Sequence, residues 1–344
     1  MKIDDLRILV AGCGSIGHRH LGHLKRLGIQ YLAACDRIAD RRDLVQADYC
    51  IETFDDFEKS LSAFNPNIVF VCTPAHLHVP MAQSAITFGA DVFIEKPLSL
   101  SSEGVNTLIS SAQTKKRIVQ VGYNMRFHPG IRQVKKVIDA GTIGRIVSAQ
   151  FNFGLYLPTW WKDRDYRQTY IVKKEVGGGL LFDVSHEIDT ARWLIGEVRC
   201  VNAFGAIHPE IEMDSPNVLH LNMQFQNDAI AHIEMDCWRP AYTRICNLVG
   251  THGEVMWDCP DGRIDTSSGH LKIRTHTATH WQSISIEGES DSVYRDELLS
   301  FLDCVINRGK PLVDLSDAAE TLDVLLALNN SLENRCVQSL VSRA

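Results

Sequence analysis

Two rhythms of apolar and polar residues divide this chain near residue 122. Before that point, short apolar runs recur at Arg7–Ala11, Tyr31–Cys35, Ile68–Cys72, Asp91–Ile94 and Ile118–Val121. Segments of helical period fill the gaps, as in Met81-Ala-Gln-Ser-Ala-Ile86 and from Leu108 onward, after the start signal Ser101-Ser102-Glu103. Strands alternating with helices at this spacing predict an α/β domain with a parallel, doubly wound sheet. In such a sheet ligands lie outside the carboxyl ends of the strands. The residues directly after each strand are therefore the site candidates: Gly12–Gly17, Asp36, Thr73-Pro74, Glu95-Lys96-Pro97 and Tyr123-Asn124.

Beyond residue 122 the rhythm changes. Pro129–Ala140 predicts an amphipathic connector helix, Ile146–Phe153 a strand, 156–174 a polar, aromatic-rich loop and 180–195 a further helix. From about 198 to 290 strands dominate, at Val218–Phe225, Ala229–Met235, Thr243–Val249, Glu254–Trp257 and Leu271–Thr275. Turn signals such as Gln226-Asn227-Asp228 and Pro260-Asp261-Gly262 separate them, and two helices near 294–307 and 316–333 close the chain. Long strands in sequence predict a mostly antiparallel sheet with one open face, and an open face suits a homodimer or homotetramer.

The strongest local signal is Gly12-Cys13-Gly14-Ser15-Ile16-Gly17, a G-x-G-x-x-G set between a strand and a helix. Gly12 permits a tight turn, Gly14 lets the backbone approach a pyrophosphate, and Gly17 lets the helix pack closely on the strand. Asp36 ends the second strand, 24 residues after Gly12, at the spacing of a carboxylate that binds an adenosine ribose. Asp36 favours NAD, while Arg37 beside it leaves NADP open. These features divide the chain into a dinucleotide-binding Rossmann domain, 1–122, and an α+β substrate-binding and oligomerisation domain, 123–344.

Composition narrows the picture mainly by exclusion. A length of 344 residues is enough for two domains, and 45% hydrophobic with 22% charged residues is ordinary for a soluble globular protein. The net charge of −7, with no long basic run, argues against nucleic acid and anionic membranes. The ten cysteines are scattered without a C-x-x-C, as expected of reduced, mostly buried thiols in a cytoplasmic protein. His276 and His280 lie in a Thr-rich segment read as strand or loop, and there is no H-E-x-x-H, so no metal site is expected. No segment approaches the ~18–20 apolar residues of a membrane span. The first apolar run follows acidic residues and lacks a cleavage site, so it reads as a strand and not a signal peptide.

Three clusters carry candidate chemistry. Lys96 follows a strand directly, and its ammonium can bind a substrate oxygen and stabilise alkoxide-like charge. Glu95 tunes it or binds the nicotinamide ribose, and Pro97 holds Lys96 in extended geometry. In Gly177-Gly-Gly-Leu-Leu-Phe-Asp183-Val-Ser-His186-Glu-Ile-Asp189, three acid–base groups recur at three-residue steps. His186 is the best proton carrier, with Asp183 or Asp189 orienting it. The loop containing Trp160, Trp161, Arg164, Tyr166, Arg167 and Tyr170 suits a sugar through aromatic faces and planar hydrogen bonding, and equally suits a protein interface.

Taken in order, Gly-Cys-Gly-Ser-Ile-Gly, Thr73-Pro74 with His78, Glu95-Lys96-Pro97, Gly122-Tyr-Asn124-Met-Arg126-Phe and Gly-Gly-Gly…Asp…His-x-x-Asp189 span nearly the full length. The chain resembles the glucose–fructose oxidoreductase / inositol dehydrogenase / rhizopine-catabolism (Gfo/Idh/MocA) family. The resemblance implies hydride transfer between NAD(P) and a secondary alcohol or ketone of a sugar, inositol or sugar nucleotide. It assigns the catalytic lysine to Lys96 and the catalytic histidine to His186, with Asp183 as the accompanying acid. Cofactor contacts are expected from residues 12–17, Asp36, Arg37, Thr73, Pro74, His78, Glu95, Lys96 and Asn124. Substrate contacts are expected from Lys96, Arg126, Trp161, Tyr166, Asp183 and His186. One departure is that Asp183 precedes His186 by three residues, where many family members have four. The Leu-Pro-x-Trp loop and the Ser-His-Glu variant resemble members from bacterial surface-sugar pathways, which points towards sugar nucleotides. Two other readings fit the same residues: an NAD-requiring glycosidase of the same fold and a non-catalytic nucleotide-sensing protein.

Overall fold

The computed structural model describes residues 5–161, 164–259, 268–289, 291–341 and 343. The expected turn at Pro260-Asp261-Gly262 lies outside the described residues. The chain forms two compact units, Met1–Gly122 with Arg295–Leu322, and Tyr123–Tyr294 with Asp323–Ala344.

In the first unit, strands β1 (Arg7–Ala11), β2 (Tyr31–Cys35), β3 (Glu52–Phe54), β4 (Ile68–Val71), β5 (Asp91–Ile94) and β6 (Val119–Val121) form one sheet in the order β3-β2-β1-β4-β5-β6. Every neighbouring pair is parallel. Helices α1 (Ser15–Arg26), α2 (Ala39–Tyr49), α3 (Phe57–Phe64), α4 (His78–Phe88) and α5 (Val105–Thr114) connect the strands. Strand order reverses between β1 and β4, the place where such sheets open a crevice at their carboxyl ends. Apolar residues such as Ile8, Val10, Phe70 and Phe93 are fully buried, which is why these strands read as continuous apolar runs. Residues 295–322 belong to this unit, whereas the expected boundary kept them with the second. The reason is apolar burial: Leu298, Phe301, Leu302 and Val305 complete the same core, with the Phe301 ring 5.7 Å from Phe70 and 5.5 Å from Phe93.

The second unit holds α6 (Pro129–Asp139), β7 (Ile146–Tyr156), α7 (Leu180–Asp183) and α8 (His186–Ile195). Its further strands are β8 (Val198–Ala206), β9 (Val218–Phe225), β10 (Ile230–Asp236), β11 (Trp238–Gly250), β12 (Gly253–Asp258), β13 (Gly269–Thr275) and β14 (Gln282–Ile286). Helix α9 (Ser292–Asn307) belongs mostly to the first unit, and α10 (Leu315–Asn334) is divided between the two at Leu322, ahead of the short β15 (Gln338–Ser339). Nine strands form one sheet, in the order β14-β13-β12-β11-β7-β10-β9-β8-β15. It is antiparallel except where β10 runs parallel to β7. Burial alternates along the strands. Leu219, Leu221, Ala231, Ile233, Phe151 and Val255 face the core with Ile188, Ala191 and Leu194 of α8. The opposite face carries polar partners in register, Asn202–Asn222–His232–Gln150–Asn247 across five strands.

Candidate active site

The carboxyl ends of β1, β2, β4 and β5 gather the first unit's candidates on one edge. Helix α1 starts directly after β1 with Gly14 at its N-cap, no side-chain cap and no acid in its first turn. Its first amide groups are therefore left to bind an anion. A Cβ on Gly17 would lie 1.8 Å from the Gly12 carbonyl oxygen, so only glycine lets α1 start this close to the strand. A Cβ on Gly14 would meet nothing within 4 Å, which is the open side a pyrophosphate needs. Cys13 is buried, its thiol pushed up to about 12 by burial and then by the Asp36 charge, while Ser15 is exposed.

Asp36 follows β2 and is tied to this loop. Its Oδ2 accepts from the Cys13 amide at 2.8 Å and its Oδ1 from the Ile38 amide at 2.9 Å. A carboxylate has about four acceptor sites, so capacity remains for ribose hydroxyls. Arg37 is exposed. Two further arginines contact Asp36: Arg41 Nη1 is 3.6 Å from its Oδ2, and Arg42 Nη1 donates to its carbonyl at 2.7 Å. Sequence reading passed over both because they fall in the first turn of α2, where charge is usually solvated. The glycine loop, the uncapped α1 and Asp36 together fit a dinucleotide.

After β4, Thr73 is half-buried and Pro74 exposed. His78 departs from its expected role as a cofactor contact. It is buried, and both ring nitrogens face backbone carbonyls, Nδ1 that of Pro97 and Nε2 that of Thr73, each at 2.8 Å. Its side chain ties the Thr73-Pro74 turn to the Glu95-Lys96-Pro97 turn, and burial lowers its pKa. After β5, Glu95 is buried and Lys96 half-buried, and the Lys96–Pro97 bond is cis. The Lys96 amide donates to Glu95 Oε2 at 3.2 Å. Burial alone would raise the Glu95 pKa. The hydrogen bond from His20, with the charges of His20, Lys96 and His78, outweighs it and holds the carboxyl low.

The second unit's candidates are held by side-chain pairs. Asn124 is buried, and its Oδ1 has no hydrogen-bond partner among the described residues. Arg126 differs from the expected substrate ligand: it is buried and grips Asp189 with two bonds, Nε–Oδ2 at 2.8 Å and Nη2–Oδ1 at 2.6 Å. Its guanidinium also lies 5.8 Å from the Trp193 ring. This pair engages both Asp189 oxygens, so Asp189 carries an ion pair with Arg126 that the spacing alone did not announce. A second buried pair, Arg244 with Glu187 at 2.7 Å, went unread because its partners stand 57 residues apart.

The expected helix over 180–195 is two helices. Val184, with ψ of 29°, leaves the helical path after Asp183, and α8 restarts with the Asp189 amide bonded to the Ser185 carbonyl. Asp183 therefore closes the short α7 while His186 opens α8, and the three-residue spacing does not run along one helix. His186 is buried with its ring edge-on to Tyr123 at 5.9 Å. The Tyr170 hydroxyl donates to Asp183 Oδ1. The glycine run serves close packing: a Cβ on Gly178 would lie 2.1 Å from the Tyr170 carbonyl oxygen.

The aromatic loop folds as successive 3-10 turns, Leu157–Thr159, Tyr166–Gln168 and Tyr170–Val172, with Lys162 and Asp163 outside the described residues. Trp161 is half-buried and stacks on Trp160 at 5.7 Å. Tyr166, expected at the substrate, is buried and accepts from the Glu212 amide at 3.0 Å, so its hydroxyl anchors the loop. Tyr170, absent from the expected contacts, is 52% exposed and carries the hydroxyl bound to Asp183. Among the described residues, no group of three or more His, Cys, Asp or Glu side chains is arranged to hold a metal ion.

Comparison with known proteins matches residues 6–123 to an oxidoreductase family described as having an NAD-binding Rossmann fold. Residues 131–256 match the C-terminal domain of the same GFO/IDH/MocA group. The chain is 28% identical to scyllo-inositol 2-dehydrogenase (NAD(+)) of Bacillus subtilis, over 99% of this chain and 98% of that protein. Among solved structures, levoglucosan dehydrogenase in complex with NADH and levoglucosan has a TM-score of 0.85 at 19% identity, covering 98% of this chain and all of that one. The WlbA dehydrogenase of Bordetella pertussis, in complex with NADH and UDP-GlcNAcA, has a TM-score of 0.82 at 20% identity, covering 98% of this chain and 99% of that one.

Proposed function

Because the chain belongs to the Gfo/Idh/MocA oxidoreductase family, we propose that it is an NAD-dependent dehydrogenase of a secondary alcohol on a sugar, inositol or sugar nucleotide. The full-length likeness to an inositol dehydrogenase supports the polyol class. The observation that carries the reading is the shared strand edge. The glycine loop after β1, Asp36 after β2 and Lys96 after β5 stand at the carboxyl ends of one parallel sheet. Asp36 supports NAD over NADP, since a carboxylate repels a 2′-phosphate. Arg37 and Arg41 beside it keep NADP within reach of the same site.

When bound, the nicotinamide supplies the hydride acceptor or donor. The chain's residues do the rest. Lys96 Nζ donates to the substrate oxygen and stabilises the negative charge that develops there. An imidazole nitrogen of His186 takes the hydroxyl proton, or returns it in the reductive direction. Asp183, joined to Tyr170, is the acid that accompanies His186, and Trp161 offers an aromatic face to a sugar ring. The test is a panel of polyols, aldoses and sugar nucleotides scored by nicotinamide absorbance, in both directions and with NAD and NADP. Turnover of at least one panel member supports the reading. NAD binding without turnover of any supports the nucleotide-sensing alternative, and product release without net NADH supports the glycosidase one.

The open sheet face is the proposed contact of a homodimer or homotetramer. Ile230 and Phe204 are exposed there amid the polar row of Asn222, His232 and Gln150, a mixture suited to a second copy of the same face. Sedimentation should give an oligomer that Ile230→Asp dissociates, and a monomeric wild-type chain would contradict this. Among the described residues no disulfide joins two cysteines, which supports a reducing, cytoplasmic setting. Among the described residues, no helix is long and apolar enough to cross a membrane.

A further inference from the structure

Behind the lysine edge lies a buried acid–histidine pair that the glycine motif does not account for. Along α1, Gly17, His20, Leu21 and Leu24 occupy the buried face. The spacing is that of a helix's core side, so His20 stands where an apolar residue is expected. The ring lies in an aromatic slot, 5.4 Å from Phe70 and 5.2 Å from Phe93, which are themselves stacked at 4.9 Å. His20 is 1% exposed. Its Nε2 lies 2.7 Å from Glu95 Oε1, and its Nδ1 is buried without a hydrogen-bond partner among the described residues. The polar work of this ring is therefore directed at Glu95.

Glu95 carries that contact forward. One oxygen faces His20 and the other accepts from the Lys96 main-chain amide, so the carboxylate is pinned at both ends between α1 and the reactive turn. A buried carboxyl without a donor takes up a proton rather than keep its charge. His78 and Lys96 are the other cationic groups acting on Glu95, and the Cys72 thiol is also near enough to feel its charge. His78 spends both ring nitrogens on carbonyls and the Lys96 amide meets Glu95 Oε2, while the contact at Oε1 is made by the His20 ring.

We propose that His20 is a positioning residue for Lys96, acting through Glu95: it keeps a carboxylate charged and fixed directly behind the lysine. This rests on the role assigned above to Lys96. The charge adjoining the lysine and the direction in which its side chain leaves the strand then depend on a helix residue that touches neither cofactor nor substrate.

The deciding measurement needs no substrate. The full chain is labelled with carboxyl-13C glutamate, Glu95 is assigned by its loss in Glu95→Gln, and its resonance is followed against pH. Wild type keeps Glu95 ionised below the ordinary glutamate range. His20→Phe, which fills the aromatic slot without a donor, should raise the midpoint by at least about one pH unit, tenfold in proton affinity. His20→Gln offers an amide donor to Glu95 and should restore most of the wild-type midpoint. An unchanged midpoint in His20→Phe overturns the proposal. If that variant fails to fold, as judged by its melting transition, His20→Gln and His20→Leu supply the comparison.

Turnover of an active panel member gives the second readout. His20→Phe should lower kcat roughly 10- to 100-fold, with the NAD Kd within about twofold of wild type. Adding His20→Phe to Glu95→Gln should cost nothing more, because the two residues act as one unit. Additive losses, or a change confined to KM, contradict action through Glu95. Full activity of Lys96→Ala would sink the role given to that lysine while leaving the carboxyl titration to decide whether His20 governs Glu95.

Discussion

The first unit's candidate residues sit where backbone geometry puts them, whereas those of the second are held by paired side chains. Gly12, Gly14 and Gly17 act through turn geometry, open space and close approach, and Asp36 and Lys96 follow strands of one sheet, Glu95 being the exception that a distant side chain, His20, holds. In the second unit Arg126 holds Asp189, Tyr170 holds Asp183 and Arg244 holds Glu187. Backbone sites are specified by residues adjacent in sequence. Side-chain sites depend on residues far apart, so changes should break the two kinds differently.

The largest expected effect is on chemistry in the second unit. His186→Ala should lose roughly 10²–10⁴-fold in turnover on an active panel substrate while binding NAD as wild type does, measured by titration calorimetry. Undiminished turnover would remove His186 from the mechanism.

Next comes the pair that distinguishes the second unit most clearly. Arg126→Met leaves Asp189 buried without its counter-charge and should cost about 3–5 kcal/mol in urea unfolding. Adding Asp189→Leu to Arg126→Met should recover much of that loss. A small cost for Arg126→Met alone would mean that Asp189 does not depend on the arginine, and the comparison would fail there.

A smaller effect is expected from pH in the first unit. The Glu95 pKa is lower folded than unfolded, so it adds stability that is present above the ordinary glutamate value. That contribution fades as pH falls through the lower folded value. The melting temperature of wild type should therefore drop on acidification by more than that of Glu95→Gln, and equal slopes for the two would contradict the direction. Smallest is Tyr170→Phe, which removes one hydroxyl from Asp183. It should change stability by about 1 kcal/mol or less and act mainly on substrate KM. A loss as large as that of His186→Ala would instead place Tyr170 in the chemistry.

The same contrast explains what the sequence made legible. Strands Arg7–Ala11, Tyr31–Cys35, Asp91–Ile94 and Val218–Phe225 have the bounds that their apolar runs and following turn residues imply. Glu52–Phe54 went unread because it is three residues long and half exposed at a sheet edge. Gln282–Ile286 was missed for a similar reason, since it is a largely exposed edge strand of the second sheet. The break between α7 and α8 has no glycine or proline to announce it; Leu-Leu-Phe-Asp-Val-Ser-His-Glu-Ile keeps helical polarity through the turn. His20 was hidden in the opposite way, as a polar residue in a core position whose partner lies 75 residues away. Arg126 and Tyr166 read as ligands by chemical type; the structure adds that the arginine binds Asp189 and the tyrosine hydroxyl accepts from the Glu212 amide, partners 63 and 46 residues away.

The most direct test of the central claim pairs the polyol, aldose and sugar-nucleotide panel with a single substitution at the lysine edge. Nicotinamide absorbance is recorded for wild type and Lys96→Ala, with NAD binding measured on both. The expected result is NADH formation from at least one panel member by wild type, lost by orders of magnitude in Lys96→Ala, which still binds NAD. Equal turnover by the two proteins, or none by wild type while it binds NAD, would contradict the account.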